Sequence, residues 1–270
     1  MKVSDITTKK WREAENLLEG IGQIQAATYT VVLVNKNRPF GTCVLLHHRG
    51  KNYLLTAAHV ALEIGKKGFE EIGVAIKPDE ISRTIPLHRS DLFCCKFWDR
   101  NFKVSDLQND PYTCKDLALI EIPLILESAI KSTKGFARLS ESTVDSLDLN
   151  ACYVGYGVLE NNGLIQMTSL GLSLCEKRER DGREYYIARA MKETFGAKVL
   201  KEPALTNFQG YSGGGLFLVK DKSVSLVGIA YYQDREHLAE EEGYVEIFFY
   251  GTASLKASLK EICAAEEASQ

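Results

Sequence analysis

The sequence has little net charge: 33 lysines and arginines stand against 36 aspartates and glutamates, a formal balance of -3 over 270 residues. With neither sign in excess, no global field draws the chain to nucleic acid or to an anionic membrane, and either partner would need a local patch. Long apolar runs are missing too. The most apolar stretch, 117–126, is interrupted by Glu121 and Pro123, and no apolar segment of signal-peptide length follows Met1, so neither a membrane span nor a secretory leader is expected. The seven cysteines are an odd number without CxxC or Cys/His spacing, and they include the adjacent pair Cys94-Cys95, which cannot easily bridge to itself. Free thiols in a reducing cytoplasm fit this usage. His47, His48 and His88 show no ligand spacing, so neither a metal nor another cofactor is expected.

What is present is an ordinary globular composition, 45% hydrophobic and 26% charged, long enough to bury one large core or two of about 100 residues each. Short runs rich in Val, Leu, Ile, Tyr and Thr recur between Gly, Asn and Asp punctuation, the pattern of an all-β protein. The first half offers candidate strands at 28–35, 42–48, 53–56, 72–77 and 117–122. The second offers 152–158, 164–175, 185–190, 216–220, 224–232 and 244–250, with Asn162-Gly163 and Asp181-Gly182 as tight-turn dipeptides. Helices are expected only at the ends, where Trp11, Ala14 and Leu18, and again Leu255, Leu259 and Ile262, share a face. The organisation that follows is an N-terminal helical extension (1–24), a first β-barrel (25–126), a polar linker (127–149), a second β-barrel (150–251) and a C-terminal helix and tail (252–270).

Hydrolysis of an amide at neutral pH needs a nucleophile, a base, a group that orients the base, and donors for the developing oxyanion. Thr56-Ala57-Ala58-His59 follows the apolar strand Tyr53-Leu54-Leu55, which sets His59 where a strand gives way to a helical turn. Asp116 stands directly before Leu117-Ala118-Leu119-Ile120, at the mouth of a buried strand. Gly210-Tyr211-Ser212-Gly213-Gly214-Gly215 precedes the strand Leu216-Phe217-Leu218, and its glycines permit a sharp turn that exposes a hydroxyl and aims the amides of Gly210 and Ser212 at one point. Each motif alone has a plainer reading. A histidine after an apolar strand is often a satisfied core residue, Asp110 or Asp148 sits in a context like that of Asp116, and Ser-Gly-Gly-Gly can be a flexible turn.

Together, in the order His, Asp, Ser, the three motifs resemble the trypsin/chymotrypsin family over roughly 28–259. The resemblance implies two six-stranded antiparallel β-barrels, an active site in the cleft between them, Ser212 as nucleophile, His59 as general base, Asp116 as its orienting carboxylate, and an oxyanion hole from Gly210 and Ser212. Departures from the family pattern place the chain nearer its bacterial HtrA-like and intracellular trypsin-like branch. Tyr211 stands where zymogen-activated members have an aspartate, and Val60 where a cysteine would bridge to Cys43. Tyr231 replaces the serine that commonly supports the aspartate, which leaves the support of Asp116 open. Thr206 occupies the position where an aspartate selects basic side chains, so Thr206, Tyr231 and Tyr232 imply a pocket for an uncharged side chain.

The reading is a serine endopeptidase acting on a protein or peptide substrate, with no nucleic-acid or membrane partner. Two alternatives share the fold: an inactive binding module, and a protease switched on by a protein activator. Lys177, Arg178, Arg180 and Arg183 are interleaved with Glu176, Glu179 and Glu184, which reads as a solvated hairpin tip rather than a nucleic-acid patch. The acidic stretch 234–242 reads as a solvated loop.

Overall fold

A computed structural model describes residues 23–35, 38–66, 72–76, 84–87, 95–122, 124–140, 151–158, 165–171, 175–191, 212–220, 223–234 and 244–267. The first half contains helix α1 (Gln23–Thr28), strands β1 (Thr30–Asn35), β2 (Arg38–His48) and β3 (Lys51–Thr56), helix α2 (Ala58–Lys66), strands β4 (Ile72–Ala75), β5 (Thr84–Pro86) and β6 (Cys95–Phe97), helix α3 (Val104–Asn109), strand β7 (Ala118–Glu121) and helix α4 (Leu124–Lys131). The second contains strands β8 (Ala151–Val158), β9 (Ile165–Gly171), β10 (Cys175–Arg180), β11 (Arg183–Met191), β12 (Gly215–Lys220), β13 (Ser223–Asp234) and β14 (Tyr244–Tyr250), then helix α5 (Thr252–Glu267). The strands form two antiparallel sheets, ordered β5-β4-β1-β2-β3-β7-β6 and β10-β11-β14-β13-β12-β8-β9.

The architecture is therefore mostly β, as the strand-like runs predict, with seven strands per sheet where six were expected. The extra strands have simple causes. β5 and β6 are three residues long, too short to show a period of two. The single expected strand 164–175 resolves into β9 and β10, which lie at opposite ends of the second sheet's order. The Asp181-Gly182 turn is as read, with φ of 52° and 71° at the two residues joining β10 to β11. The helical face at Trp11, Ala14 and Leu18 and the Asn162-Gly163 turn lie outside the described residues.

Strands β1, β3 and β7 are buried along nearly their whole length rather than on alternate residues, which is why they read as continuous apolar runs. Leu33, Leu45, Leu54 and Leu119 from the first sheet join Phe217, Leu226, Ile229 and Tyr250 from the second in one apolar cluster. Each such fully buried side chain contributes about 1.5–3 kcal/mol relative to exposure, so the two sheets are held by a shared core.

Helices are not confined to the ends, contrary to the sequence expectation. α4 crosses the boundary drawn at residue 127, because Leu126 and Ile130 form a buried face that a polar reading of the segment passes over. Beyond it the connection is no free linker. Ala137 exchanges hydrogen bonds with Leu45 and His47 of β2 (2.7 and 2.9 Å), and Leu226 of β13 exchanges them with Arg138 and Ser140 (3.3 and 3.0 Å), so the segment is stitched to each sheet in turn.

Candidate active site

The pairing of β3 with β7 does most of the assembly. Thr56 lies opposite Ala118 at the end of the antiparallel register, so the chain leaving β3 and the chain entering β7 meet at this point. His59 is the second residue of α2, in the helical turn that follows β3 directly. Ala57 and Ala58 are fully buried, so small side chains are required for the chain to turn there. Asp116 is itself fully buried, while the side chain of His59 keeps 22% of its surface open.

The carboxylate holds the histidine at two points. Oδ1 accepts the main-chain N–H of His59 at 2.8 Å, and Oδ2 lies 2.6 Å from Nδ1 of the ring. An ionised carboxylate only accepts, so Nδ1 carries the proton and Nε2 is left with the lone pair. That is the tautomer a general base needs. Burial acts to lower the pKa of His59, but the charge and hydrogen bond of Asp116, with a smaller contribution from Glu63, outweigh it, and the net shift is upward from 6.5.

Ser212 is partly exposed in the turn that leads into β12. Its carbonyl accepts the amide of Thr42 in β2 at 3.0 Å, and the neighbouring Gly213 donates to Ala230 of β13 at 2.8 Å. Thr42 is a hub, because its own carbonyl also accepts the hydroxyl of Thr56 at 2.7 Å. The serine turn is thus fastened to the strand that pairs with β3, and β3 delivers His59. Gly213 has φ of +86°, and a Cβ there would fall 2.0 Å from the Thr42 oxygen and 2.2 Å from Thr56 Oγ1. Only glycine lets the turn approach the first sheet this closely.

The structure brings His59 and Asp116 into direct contact and ties the main chain of Ser212 to β2. Gly210, Tyr211 and Thr206 lie outside the described residues. Tyr231 departs from the sequence expectation: its ring is buried to 1% exposure and stacked on Tyr250 at 4.0 Å, with its hydroxyl donating to the Pro111 carbonyl at 3.1 Å. A ring enclosed in this way does not line a substrate pocket. Tyr232, its neighbour, is partly buried and meets Phe248 edge-on at 5.3 Å.

The group that holds the approach to Asp116 was not found from sequence. The amide of Asp116 donates to the hydroxyl of Tyr250 at 2.9 Å, and that hydroxyl in turn donates to the Cys114 carbonyl at 2.9 Å. The hydroxyl of Tyr185 donates to the Tyr112 carbonyl. A signal was available in the tyrosines of 185–186, 231–232 and 250, since a buried phenol must find a partner for its hydroxyl.

The basic hairpin is exposed at 176 and 178–182, as a solvated tip is, and is also tied to its surroundings by ion pairs and a hydrogen bond. Lys177 pairs with Glu184 at 2.9 Å and Arg178 with Glu176 at 2.8 Å, while Arg180 reaches Asp110 at 3.0 Å and Arg183 reaches the carbonyl of Thr113 at 2.9 Å. Cys43, Cys95, Cys114 and Cys263 are unbridged, and burial pushes the Cys43 thiol up to about 12 and the Cys114 thiol to about 11. Among the described residues, no group of three or more His, Cys, Asp or Glu side chains is placed to hold a metal ion, and no helix is long and apolar enough to cross a membrane.

No protein-family profile and no curated protein matches the chain. The solved structures that the chain is similar to include one with a TM-score of 0.44 and 11% identity over 83% of this chain and 85% of that one. That structure belongs to work on aromatic interactions that drive the coupled folding and binding of the intrinsically disordered Sesbania mosaic virus VPg protein. A likeness of that size carries no chemistry from one protein to the other.

Proposed function

We propose that this protein is a serine endopeptidase of the trypsin/chymotrypsin type, its two sheets serving as the two barrels of that fold and its active site lying where they meet. The observation that carries the reading is the two-point grip of Asp116 on His59, which fixes the ring with Nε2 as acceptor. The fastening of the Ser212 turn to Thr42 supports it, because β2 pairs with β3 and β3 with β7, the strands that carry His59 and Asp116.

In this mechanism Ser212 Oγ attacks the scissile carbonyl as His59 Nε2 takes its proton. The C–N bond breaks when His59 returns that proton to the leaving amine, which leaves an acyl-enzyme on Ser212. Water then repeats the cycle, giving up its proton to His59 as it attacks the acyl carbonyl, and Ser212 is regenerated as the acid product departs. Asp116 stays ionised throughout and stabilises the imidazolium. The amides of Gly210 and Ser212 are the proposed oxyanion donors, a single such donor being worth about 3 kcal/mol in the transition state.

A fluorophosphonate probe tests the proposal. Wild-type protein is expected to be labelled at Ser212, and Ser212→Ala to lose labelling together with roughly a thousandfold or more of its peptide hydrolysis. Hydrolysis within tenfold of wild type in Ser212→Ala would overturn it. Labelling only after addition of a cell extract would select the partner-activated form, and no labelling under any condition would select the binding module.

A further inference from the structure

A second layer of the molecule converges on the segment that presents Asp116. Residues 111–116 belong to the first half of the chain and lie outside its strands, with no strand pairing among the described residues. Their carbonyls are nevertheless taken up in succession by side chains of the second sheet: Pro111 by the Tyr231 hydroxyl at 3.1 Å, Tyr112 by the Tyr185 hydroxyl, Thr113 by Arg183 at 2.9 Å, and Cys114 by the Tyr250 hydroxyl at 2.9 Å. Three different strands, β11, β13 and β14, supply these groups. A loop held by one hydrogen bond would fray; a loop held at four consecutive carbonyls is part of the sheet that holds it.

Tyr250 is the member of this set that touches Asp116. Its hydroxyl bridges two main-chain groups, accepting from the Asp116 amide and donating to the Cys114 carbonyl, each at 2.9 Å. The ring is fully buried, lies against Tyr231 with a 16° interplanar angle and meets Trp98 edge-on at 5.4 Å. It therefore has one place to go. The Asp116 Cα, and with it the carboxylate, is set by a phenol whose own position is set by two aromatic rings.

We propose that Tyr250 is a positioning residue for Asp116, with Tyr231, Tyr185 and Arg183 completing a clamp by which the second sheet fixes the carboxylate that orients His59. The inference deepens the endopeptidase reading and rests on it for its consequences in catalysis, but the clamp itself is a statement about geometry around His59. It answers the question left by Tyr231 at the position where the family carries a supporting serine. Here the support reaches the main chain of the aspartate rather than its carboxylate, and Tyr231 acts by stacking on the residue that provides it.

The test replaces Tyr250 with Phe, which keeps the ring stack and removes only the hydroxyl. NMR titration of the His59 ring reads the result whether or not the protein cleaves peptides. The expected outcome is a His59 pKa that falls back toward 6.5, because a loosened carboxylate holds the imidazolium less firmly. Tyr186→Phe serves as control, since that hydroxyl bonds Glu184 instead, and it should leave the titration unchanged. In the hydrolysis assay Tyr250→Phe should lose about tenfold to a hundredfold in kcat with KM within about twofold, the signature of lost transition-state stabilisation. A folded Tyr250→Phe protein with the wild-type His59 titration would overturn the clamp. If that variant does not fold, Tyr185→Phe and Tyr231→Phe release the same loop one carbonyl at a time, and an unchanged titration in both would overturn it equally. Loss of the His59 shift in a protein whose wild type hydrolyses no peptide, with or without cell extract, would uphold the clamp while refuting the endopeptidase.

Discussion

Thr42 donates its amide to the carbonyl of Ser212 at 3.0 Å, a hydrogen bond that joins the turn carrying the proposed nucleophile to the strand beside the one carrying the proposed base. The space for this bond exists because residue 213 has no side chain. In Gly213→Ala the new Cβ would overlap the Thr42 oxygen at 2.0 Å and would also have to adopt φ of +86°.

Left-handed backbone and overpacking together should cost roughly 2–5 kcal/mol, read as a lowered denaturant midpoint. Gly50→Ala isolates the first contribution. Gly50 has φ of +76° with nothing near its missing Cβ, so that variant should lose only about 1–2 kcal/mol. Fluorophosphonate labelling should disappear in Gly213→Ala and persist in Gly50→Ala. Equal destabilisation of the two would show that the contact with Thr42 is unimportant.

The pH dependence follows from the charge of Asp116. His59 must be neutral to act as base, and its pKa lies above 6.5, so the rising limb of kcat/KM is expected above pH 6.5. In Asp116→Asn the limb should move down toward or below that value, and kcat should fall about ten-thousandfold as the preferred tautomer is lost. The stability sign runs the same way. A histidine whose pKa is raised on folding contributes stabilisation that is complete below its unfolded pKa of 6.5 and is lost as pH rises through the folded value. Wild type minus Asp116→Asn, measured by urea unfolding across this window, should therefore shrink with increasing pH. A difference that grows would contradict the pairing.

The sequence discloses the candidate site more fully than the fold around it. His59 and Asp116 each sit at the end of an apolar run legible in the sequence, but Asp116 is set apart from Asp110 and Asp148 only by the order of the three motifs and the family they resemble. The hairpin between β2 and β3 was harder to see. Its turn is Arg49-Gly50 with φ of 47° and 76°, a conformation that arginine seldom signals in advance, whereas Asp181-Gly182 adopts a similar turn with a recognisable pair. Tyr250 illustrates the larger difficulty. Its role depends on a hydroxyl reaching residues 134 and 136 positions away in the chain; a phenol beside Phe248 and Phe249 signals that a partner is needed but not which one. Long-range polar contacts leave no periodic trace.

Glu184 ties the C-terminal helix to the second sheet and offers a test of the fold that is independent of catalysis. This carboxylate is buried to 3% exposure at the start of β11, accepts the Ala253 amide in the first turn of α5 at 3.0 Å and the Tyr186 hydroxyl at 2.9 Å, and pairs with Lys177 at 2.9 Å. Burial acts to raise its pKa, but these three partners together bring it below 4.5. A carboxylate depressed on folding contributes stability that is complete above its unfolded pKa and is lost as pH falls through the folded one. Glu184→Gln keeps the shape and removes the charge, so at neutral pH it should cost about 1–3 kcal/mol. Below pH 4.5 the variant and wild type should converge, because the wild-type carboxyl is then being protonated as well. Thermal unfolding monitored at pH 7 and again near pH 3 checks both parts. An equal gap at the two pH values would mean that packing of the side chain, not its charge, anchors α5.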